Sequence, residues 1–343
     1  MTPINQAKAL YGALKRAGYS KAYVHRMLPE WWDDGLLNDS SARVELDLML
    51  ARMFGFKLDG LLKEVPEVSF VIPEGAKYKR SRKIDTQELG GATSLVHSIA
   101  KMVSTAVPVP ITPLPENPFE IRSDILARQA NRVSLMWLVG YLWERGIPTI
   151  HLKELPAGLK KMDGMCLKVD ERPVIILCKQ SSFQAWNLFI VAHELGHIAM
   201  NHIATNEVLV DYTVGENSYL MADEDPEEKS ADNFALGLLN GEYDVRYTST
   251  ALANAAQLAD AAMTYQGANQ VDAGHVILNY GHYNRAWPIA QAALKLIDQG
   301  DAPGLINEFL FDHLDLHRLP KTSVEFLLKV SGFGPPEREE DLS

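Results

Sequence analysis

The stretch LFIVAHELGHIAMNH, Leu188 to His202, places three histidines and a glutamate among apolar residues. A buried titratable group without a partner is costly, so these side chains need either one another or a bound cation. His193 and His197 lie one helical turn apart and therefore share a helix face. With Glu194 directly after the first histidine, the stretch fits H-E-x-x-H, in which two imidazoles bind zinc and the glutamate acts as general base.

The phase of this predicted helix supports a metal site. Trp186 and Ile190 fall on the same stripe as His193 and His197, so the histidines are expected to face the interior. Gly196, in mid-helix, costs about 1 kcal/mol relative to alanine and predicts a close approach by another backbone. The alternative is a pair of structural histidines bonded to backbone and carboxylates, or a solvated face. The spacing and the adjacent glutamate favour the metal site.

A catalytic zinc site usually has three protein ligands and one open position, so a third ligand is needed. His202 follows His193 by nine positions, one short of the metzincin spacing, which also has a glycine between. His202 is therefore expected to contact a ligand, or to be structural, rather than to bind the metal. The next predicted helix offers Glu227, Glu228 and Asp232, and helix phase does not separate Glu227 from Glu228. Both glutamates could instead only complement the positive end of that helix.

Two motifs in order, HELGHIAMNH (193–202) and EKSADNFALGLL (228–239), resemble the ImmA/IrrE family of bacterial metallopeptidases. That family has H-E-[LI]-G-H, then E-x-x-A-[ND]-x-F-A at the head of the next helix. Residue by residue, the resemblance implies that Glu228 is the third ligand, 35 positions after His193. The other family positions are matched by Ala231, Asp232, Phe234 and Ala235. The likeness covers about residues 119–240.

The resemblance implies a gluzincin-like, cytoplasmic zinc endopeptidase in which His193, His197 and Glu228 hold Zn²⁺ and Glu194 is the catalytic base. Its implied substrate is a helix-turn-helix repressor encoded nearby, in a stress-response, mobile-element or anti-phage operon. The flanks differ from the radiation-response branch, which carries a GAF-like sensor domain, and are more similar to CapP-type peptidases of anti-phage signalling systems. The competing interpretation is a zincin-fold sensor or DNA-binding regulator without proteolysis.

Composition limits the classes of partner. The chain has 343 residues, enough for two or three domains, and its 33 basic and 44 acidic residues give a net charge of −11. Such a surface has no overall attraction for nucleic acid or an anionic membrane, although a local basic patch could still bind either. Two cysteines form no disulfide framework, and the longest apolar runs are too short to span a bilayer. A soluble, cytoplasmic protein without a membrane partner is expected.

The pattern along the chain predicts an α+β fold that is mostly helical. A zincin-like core, consisting of a small mixed or antiparallel sheet and the H-E-x-x-H helix, is expected between helical N- and C-terminal regions. The predicted boundaries are a helical domain at 1–70, a linker with a basic segment at 71–118, a metallopeptidase domain at 119–245 and a helical domain at 246–343. Within the core, IPTIHL, GMCLKVD and RPVIILCKQ are predicted strands, and Pro173 is expected to place the last of them at an edge.

Residues outside the two motifs are also candidates for the chemistry. Cys166 lies on a predicted strand before the zinc helix, and a thiolate there would be a strong zinc ligand that fills the open position and inhibits the enzyme. The alternative for Cys166, and the interpretation adopted for Cys178, is a small buried apolar residue. Three candidates for stabilising the oxyanion remain undistinguished: Tyr212, Tyr219 and His275.

The segment KYKRSRK, Lys77 to Lys83, is the one strongly basic run. Its side chains are candidate contacts to nucleic acid phosphates, with DNA or single-stranded DNA as an activating signal; the alternative is a solvated loop. These candidates are Lys77, Lys79, Arg80, Arg82 and Lys83. Residues 1–70 faintly resemble the later helices of an XRE-type DNA-binding domain, but they contain no full helix-turn-helix, so a helical interaction domain is predicted.

Overall fold

The computed structural model describes residues 3–72, 77–79, 86–156, 163–204, 208–211, 225–249 and 252–333. Within these residues the chain is mostly helical, with fourteen α-helices and one small mixed sheet, which confirms the predicted α+β class. The buried side chains form a contiguous apolar core that extends from Leu10 to Val330. The N- and C-terminal helices therefore share one core with the central part of the chain.

The helices account for most of the described residues. In chain order they are α1 Pro3–Arg16, α2 Lys21–Met27, α3 Ser40–Phe54, α4 Leu58–Leu61, α5 Thr86–Ala106, α6 Pro118–Leu126, α7 Leu135–Glu144, α8 Gln184–Ala199, α9 Pro226–Asn240, α10 Ala255–Asn269, α11 Ala273–Tyr283, α12 Trp287–Ile297, α13 Ala302–His313 and α14 Lys321–Ser331. No described helix is both long enough and apolar enough to cross a membrane.

The sheet has five strands in the order β1-β5-β3-β4-β2. The strands are β1 Lys77–Lys79, β2 Thr149–His151, β3 Gly164–Val169, β4 Arg172–Leu177 and β5 Val208–Asp211. β3 is central and antiparallel to both β4 and β5, whereas β2 and β1 pair in parallel with β4 and β5. The predicted strands β2, β3 and β4 are confirmed, while β1 and β5 were not predicted.

The prediction that Pro173 places β4 at an edge is wrong, because β4 lies between β3 and β2. The pairing of β2 with β4 covers only Ile175 to Leu177, and Pro173 pairs with Lys168 on the β3 side. Pro173 therefore lies past the end of β2. The missing N–H of proline consequently removes no hydrogen bond to β2, and a proline is tolerated in an inner strand.

Residues 71–118, expected to form a linker with a short helix near Ser94–Ser104, contain the longer helix α5, Thr86–Ala106. In α5, Leu95, Val96 and Ile99 are fully buried, and the helix packs against β3 and β4. α8 packs against the same two strands. Because one helix is about 10 Å wide and covers about two strands spaced about 4.8 Å apart, we infer that the two helices lie on opposite faces of the sheet. The sheet thus lies between α5 and α8. The proposed domain boundaries stay predictions.

Candidate metal centre

α8 carries the H-E-x-x-H residues inside the protein. Every residue from Ala185 to Ala199 is buried, so this helix has no solvated face. His193 is 6% exposed, Glu194 1% and His197 0%. The alternative of a solvated histidine face is therefore wrong for α8, and these polar groups must be satisfied within the protein.

Three ligand atoms meet beside this helix. His193 Nε2 and His197 Nε2 lie 3.1 Å apart, and the carboxylate of Glu228 is 3.5 Å from each of these nitrogens. These atoms form a group within 4.8 Å of one another. Among the described residues, this buried triad is the group that could hold a metal ion.

The spacing of the three donor groups is close to that around a tetrahedral cation. Ligands about 2.0–2.1 Å from a tetrahedral ion lie roughly 3.3–3.4 Å from one another. The two nitrogens lie 3.1 Å apart. His193 Nε2 is 3.5 Å from Glu228 Oε2, and His197 Nε2 is 3.5 Å from Glu228 Oε1, so these shortest separations are close to that value. Two imidazole nitrogens and a carboxylate are also a common donor set for zinc in catalytic sites, where the fourth position stays open. The residues present therefore fit a bound dication.

α9 brings Glu228 to the histidines because α8 and α9 nearly touch. A Cβ added to Gly196 would lie 3.1 Å from Ala231 Cα and 3.2 Å from Ala231 O, which confirms the close backbone approach predicted at Gly196. Glu228 lies one turn before Ala231 and is fully buried, whereas Glu227 is partly exposed. The structure thus separates the two glutamates that helix phase left open.

We expect Gly196→Ala to destabilise the protein by about 1–3 kcal/mol, because its methyl group would push α9 away from α8. Gly267→Ala is the matched control, since nothing lies within 4 Å of a Cβ at that position of α10. There the gain in helix propensity is up to about 1 kcal/mol. Urea unfolding of both variants measures the difference, and equal stabilities would contradict the close packing.

Asp232, one turn after Glu228, contacts the ring nitrogen of His193 that faces away from the proposed metal position. His193 Nδ1 lies 2.9 Å from Asp232 Oδ1, the arrangement in which a carboxylate orients a metal-binding imidazole. Burial alone would lower the pKa of His193, but hydrogen bonds with Asp232 and Glu228 and the charges of Asp232 and Glu194 raise it well above its ordinary value. Without a metal, the surrounding carboxylates therefore favour the protonated form of His193.

This protonation predicts a pH-dependent metal affinity. A cation must displace the proton on His193, so we expect the affinity for Zn²⁺ to fall by about tenfold for each pH unit below the raised pKa. The folding stability of the metal-free protein changes with pH in the opposite direction. Stability from the protonated histidine is fully present below its unfolded pKa and is lost as the pH rises through the folded value. Calorimetry in buffers of different ionisation enthalpy measures the released proton; zero release would contradict this prediction.

His202 lies beside His197 because of the way α8 ends. Asn201 has φ 54°, His202 N–H donates to His197 O at 2.9 Å and Asn201 N–H to Ile198 O at 3.2 Å. This is a Schellman turn, with asparagine in the left-handed position where glycine is more common. It folds the chain back so that His202 Nδ1 lies 2.9 Å from His197 Nδ1. His202 thus contacts the ring edge of His197 that faces away from Glu228.

The side chain of Glu194 extends from α8 toward the start of β3. A Cβ added to Gly164 would come within 2.8 Å of Glu194 Oε1 and 2.4 Å of Ile190 Cγ2, so glycine leaves the space that the carboxylate occupies. The charge of Glu194 also reaches Cys178, where burial, then Asp163 and Glu194, raise the pKa of the thiol. Sequence reasoning missed Gly164. The available signal was a glycine at the start of a predicted strand.

Cys166 is not part of the triad of ligand atoms among the described residues. It is fully buried in the central strand, where it pairs with Ile175 and Leu209. The hypothesis that Cys166 inhibits the enzyme as a metal ligand stays a prediction. It requires that Cys166→Ala raises basal proteolysis, measured on purified protein, and unchanged activity would contradict it.

The remaining candidates are not brought to the centre by the described structure. Lys77 and Lys79 lie in β1, and their side chains are not described; Arg80, Arg82 and Lys83 lie outside the described residues, as do Tyr212 and Tyr219. His275 Nε2 lies 3.1 Å from Asn240 Oδ1, and burial, with the charge of Arg122, lowers the pKa of His275 to about 3. His275 is therefore neutral and already engaged with Asn240.

No family model, no curated protein and no solved structure matches this chain. The candidate centre is therefore supported by its own residues: a buried triad of closely spaced donors, a carboxylate partner for His193 and a further histidine beside His197. These features define a place where a dication fits.

Proposed function

We propose that the protein is a zinc-dependent endopeptidase. The observation that carries the proposal is the buried triad of His193, His197 and Glu228, with Glu194 on the same helix as the two histidines. Two imidazoles and a carboxylate are a common donor set for catalytic zinc. The resemblance of the two motifs to ImmA/IrrE metallopeptidases supports a zincin-like core and the same assignment of ligands.

Zinc, when bound, supplies a Lewis acid that polarises the scissile carbonyl and acidifies water. The residues of the chain provide the rest. Glu194 takes a proton from the attacking water, whose oxygen bonds to the carbonyl carbon. The same carboxyl group then gives that proton to the amine as the C–N bond breaks. Asp232 orients His193 through its Nδ1, and Gly164 leaves room for the base.

The proposed substrate is one specific protein, a helix-turn-helix repressor encoded nearby. A cytoplasmic protease requires either regulation or narrow specificity, which argues against general digestion. The net charge of −11 favours a basic partner, and DNA-binding proteins present basic surfaces. The resemblance to the metallopeptidase family indicates the same substrate class.

The proposal is tested with the purified full chain. Elemental analysis is expected to find one zinc per chain, and incubation with the product of the neighbouring repressor gene is expected to give two defined fragments. Removal of zinc with a chelator should stop cleavage, and added Zn²⁺ should restore it. Zinc binding without cleavage of any repressor would instead favour a sensor that retains the metal. Absence of zinc binding would contradict both functions.

A further inference from the structure

We infer that His202 and Ser230 determine which ring nitrogen of His197 is free to bind the metal. The inference rests on the proposed metal site but concerns residues that bind no metal themselves. His202 extends from the end of α8 and Ser230 from the first turns of α9. The two side chains link the ligand-bearing helices on the side of His197 that is remote from Glu228.

The distances define a chain of four groups. His197 Nδ1 lies 2.9 Å from His202 Nδ1, and His202 Nε2 lies 3.3 Å from Ser230 Oγ. Ser230 Oγ in turn donates to the backbone carbonyl of Glu227 at 2.9 Å. That carbonyl has no proton to give, so the chain has a fixed end from which the other protons can be placed.

The positions of the other protons follow from the carbonyl of Glu227. Ser230 has one hydroxyl proton, and the carbonyl of Glu227 takes it. Ser230 Oγ can then only accept, so His202 Nε2 must carry a proton and donate it. We infer the neutral form of His202, whose imidazole has one N–H, so that its Nδ1 is an acceptor. His197 Nδ1 must therefore donate, and the lone pair of His197 lies on Nε2.

His197 Nε2 is the atom that faces His193 and Glu228. The chain of hydrogen bonds thus selects the tautomer of His197 that binds a metal. With the opposite polarity, the Nδ1 of His202 would donate and a proton would occupy His197 Nε2, which blocks the site. His202 and Ser230 are positioning residues that act through His197.

The two histidine ligands are consequently held by different chemistry. His193 has a carboxylate partner, Asp232, whereas His197 has an imidazole partner, His202. The centre already contains three buried carboxylates, Glu194, Glu228 and Asp232, for one dication. A neutral acceptor behind His197 orients the ring without adding a fourth negative charge to this volume.

Substitutions at position 202 test the acceptor role by zinc competition titration of the full chain. We expect His202→Leu to weaken zinc binding by about 10- to 100-fold, the usual effect of losing such a partner. His202→Asn offers an oxygen near the place of Nδ1 and is expected to restore most of the affinity. If His202→Leu binds as tightly as wild type, or His202→Asn binds as weakly as His202→Leu, the inference is wrong.

Ser230 provides an independent pair of variants. Ser230→Ala removes the acceptor for His202 Nε2–H and is expected to weaken zinc binding, whereas Ser230→Thr keeps the hydroxyl and is expected to bind like wild type. Equal affinities of the alanine and threonine variants would overturn the role of Ser230. Circular dichroism identifies any variant that fails to fold.

The tautomers themselves are measurable without metal. Long-range nitrogen–proton NMR of the zinc-free wild-type protein, labelled at histidine, is expected to show His202 protonated at Nε2 and His197 at Nδ1. A proton on His202 Nδ1 overturns the inference even if zinc binds. If wild type binds no zinc, the proposed function fails, and the tautomers still decide whether this chain of hydrogen bonds exists.

Discussion

Replacing Glu194 with glutamine is expected to lower peptide hydrolysis by about 10²- to 10⁴-fold, the usual contribution of a general base. Glutamine has almost the same shape, so it fits the space beside Gly164, but it cannot take a proton from water. The three proposed ligands are untouched, and zinc content is expected to stay at the wild-type level. Initial rates of repressor cleavage and elemental analysis of the same sample measure the two effects.

The paired readout distinguishes the functions. Lost cleavage with retained zinc is the result expected for an enzyme. Undiminished cleavage by Glu194→Gln would remove Glu194 from the chemistry and with it the proposed mechanism. Loss of both zinc and folding would point to a structural role for this buried carboxylate, which is 1% exposed.

The second large effect is expected at Glu228. Glu228→Gln keeps the volume but removes the charge of the third ligand, so we expect zinc affinity to fall by at least about 100-fold. Cleavage should then disappear at zinc concentrations that saturate wild type. The stabilisation that zinc confers, about 2.7 kcal/mol at a concentration 100 times Kd, should be lost from the thermal unfolding curve.

Glu227→Gln is the matched control. It makes the same chemical change one residue away, on a side chain that is partly exposed and outside the ligand triad. We expect wild-type zinc affinity and cleavage from this variant. If Glu227→Gln and Glu228→Gln were equally impaired, the charge of the N-terminal turn of α9 would matter rather than a bond to the metal.

The sequence predicted the features that depend on local spacing. The helix face shared by His193 and His197 needs only the helical repeat, and the close approach at Gly196 follows from an unfavourable residue in mid-helix. The position of Glu228 was different. It lies on another helix, 35 residues after His193, and periodicity contains no information on how two helices pack. Glu228 was predicted as the third ligand, in preference to Glu227, from the family resemblance and not from helix phase.

Features that depend on tertiary partners were missed. Gly90 and Gly91 lie inside α5, where the ring of Phe70 packs 3.1 to 3.4 Å from where their Cβ atoms would be. β5 has four residues and gains its stability from pairing with β3 rather than from its own pattern. Ser230 looked like an ordinary helix residue, and only its distance to His202 revealed a role.

The central strand β3 has a helix on each face. Side chains alternate between the faces of a strand; Gly164 faces α8, so Cys166 shares its face while Met165 and Leu167 point to α5. Tolerance to substitution along β3 is therefore expected to oscillate with a period of two. Substitutions on the face toward α8 would reduce turnover. Substitutions on the face toward α5 would reduce the amount of folded protein in the cell. The six residues of β3 would thus divide into positions under selection for catalysis and positions under selection for protein abundance.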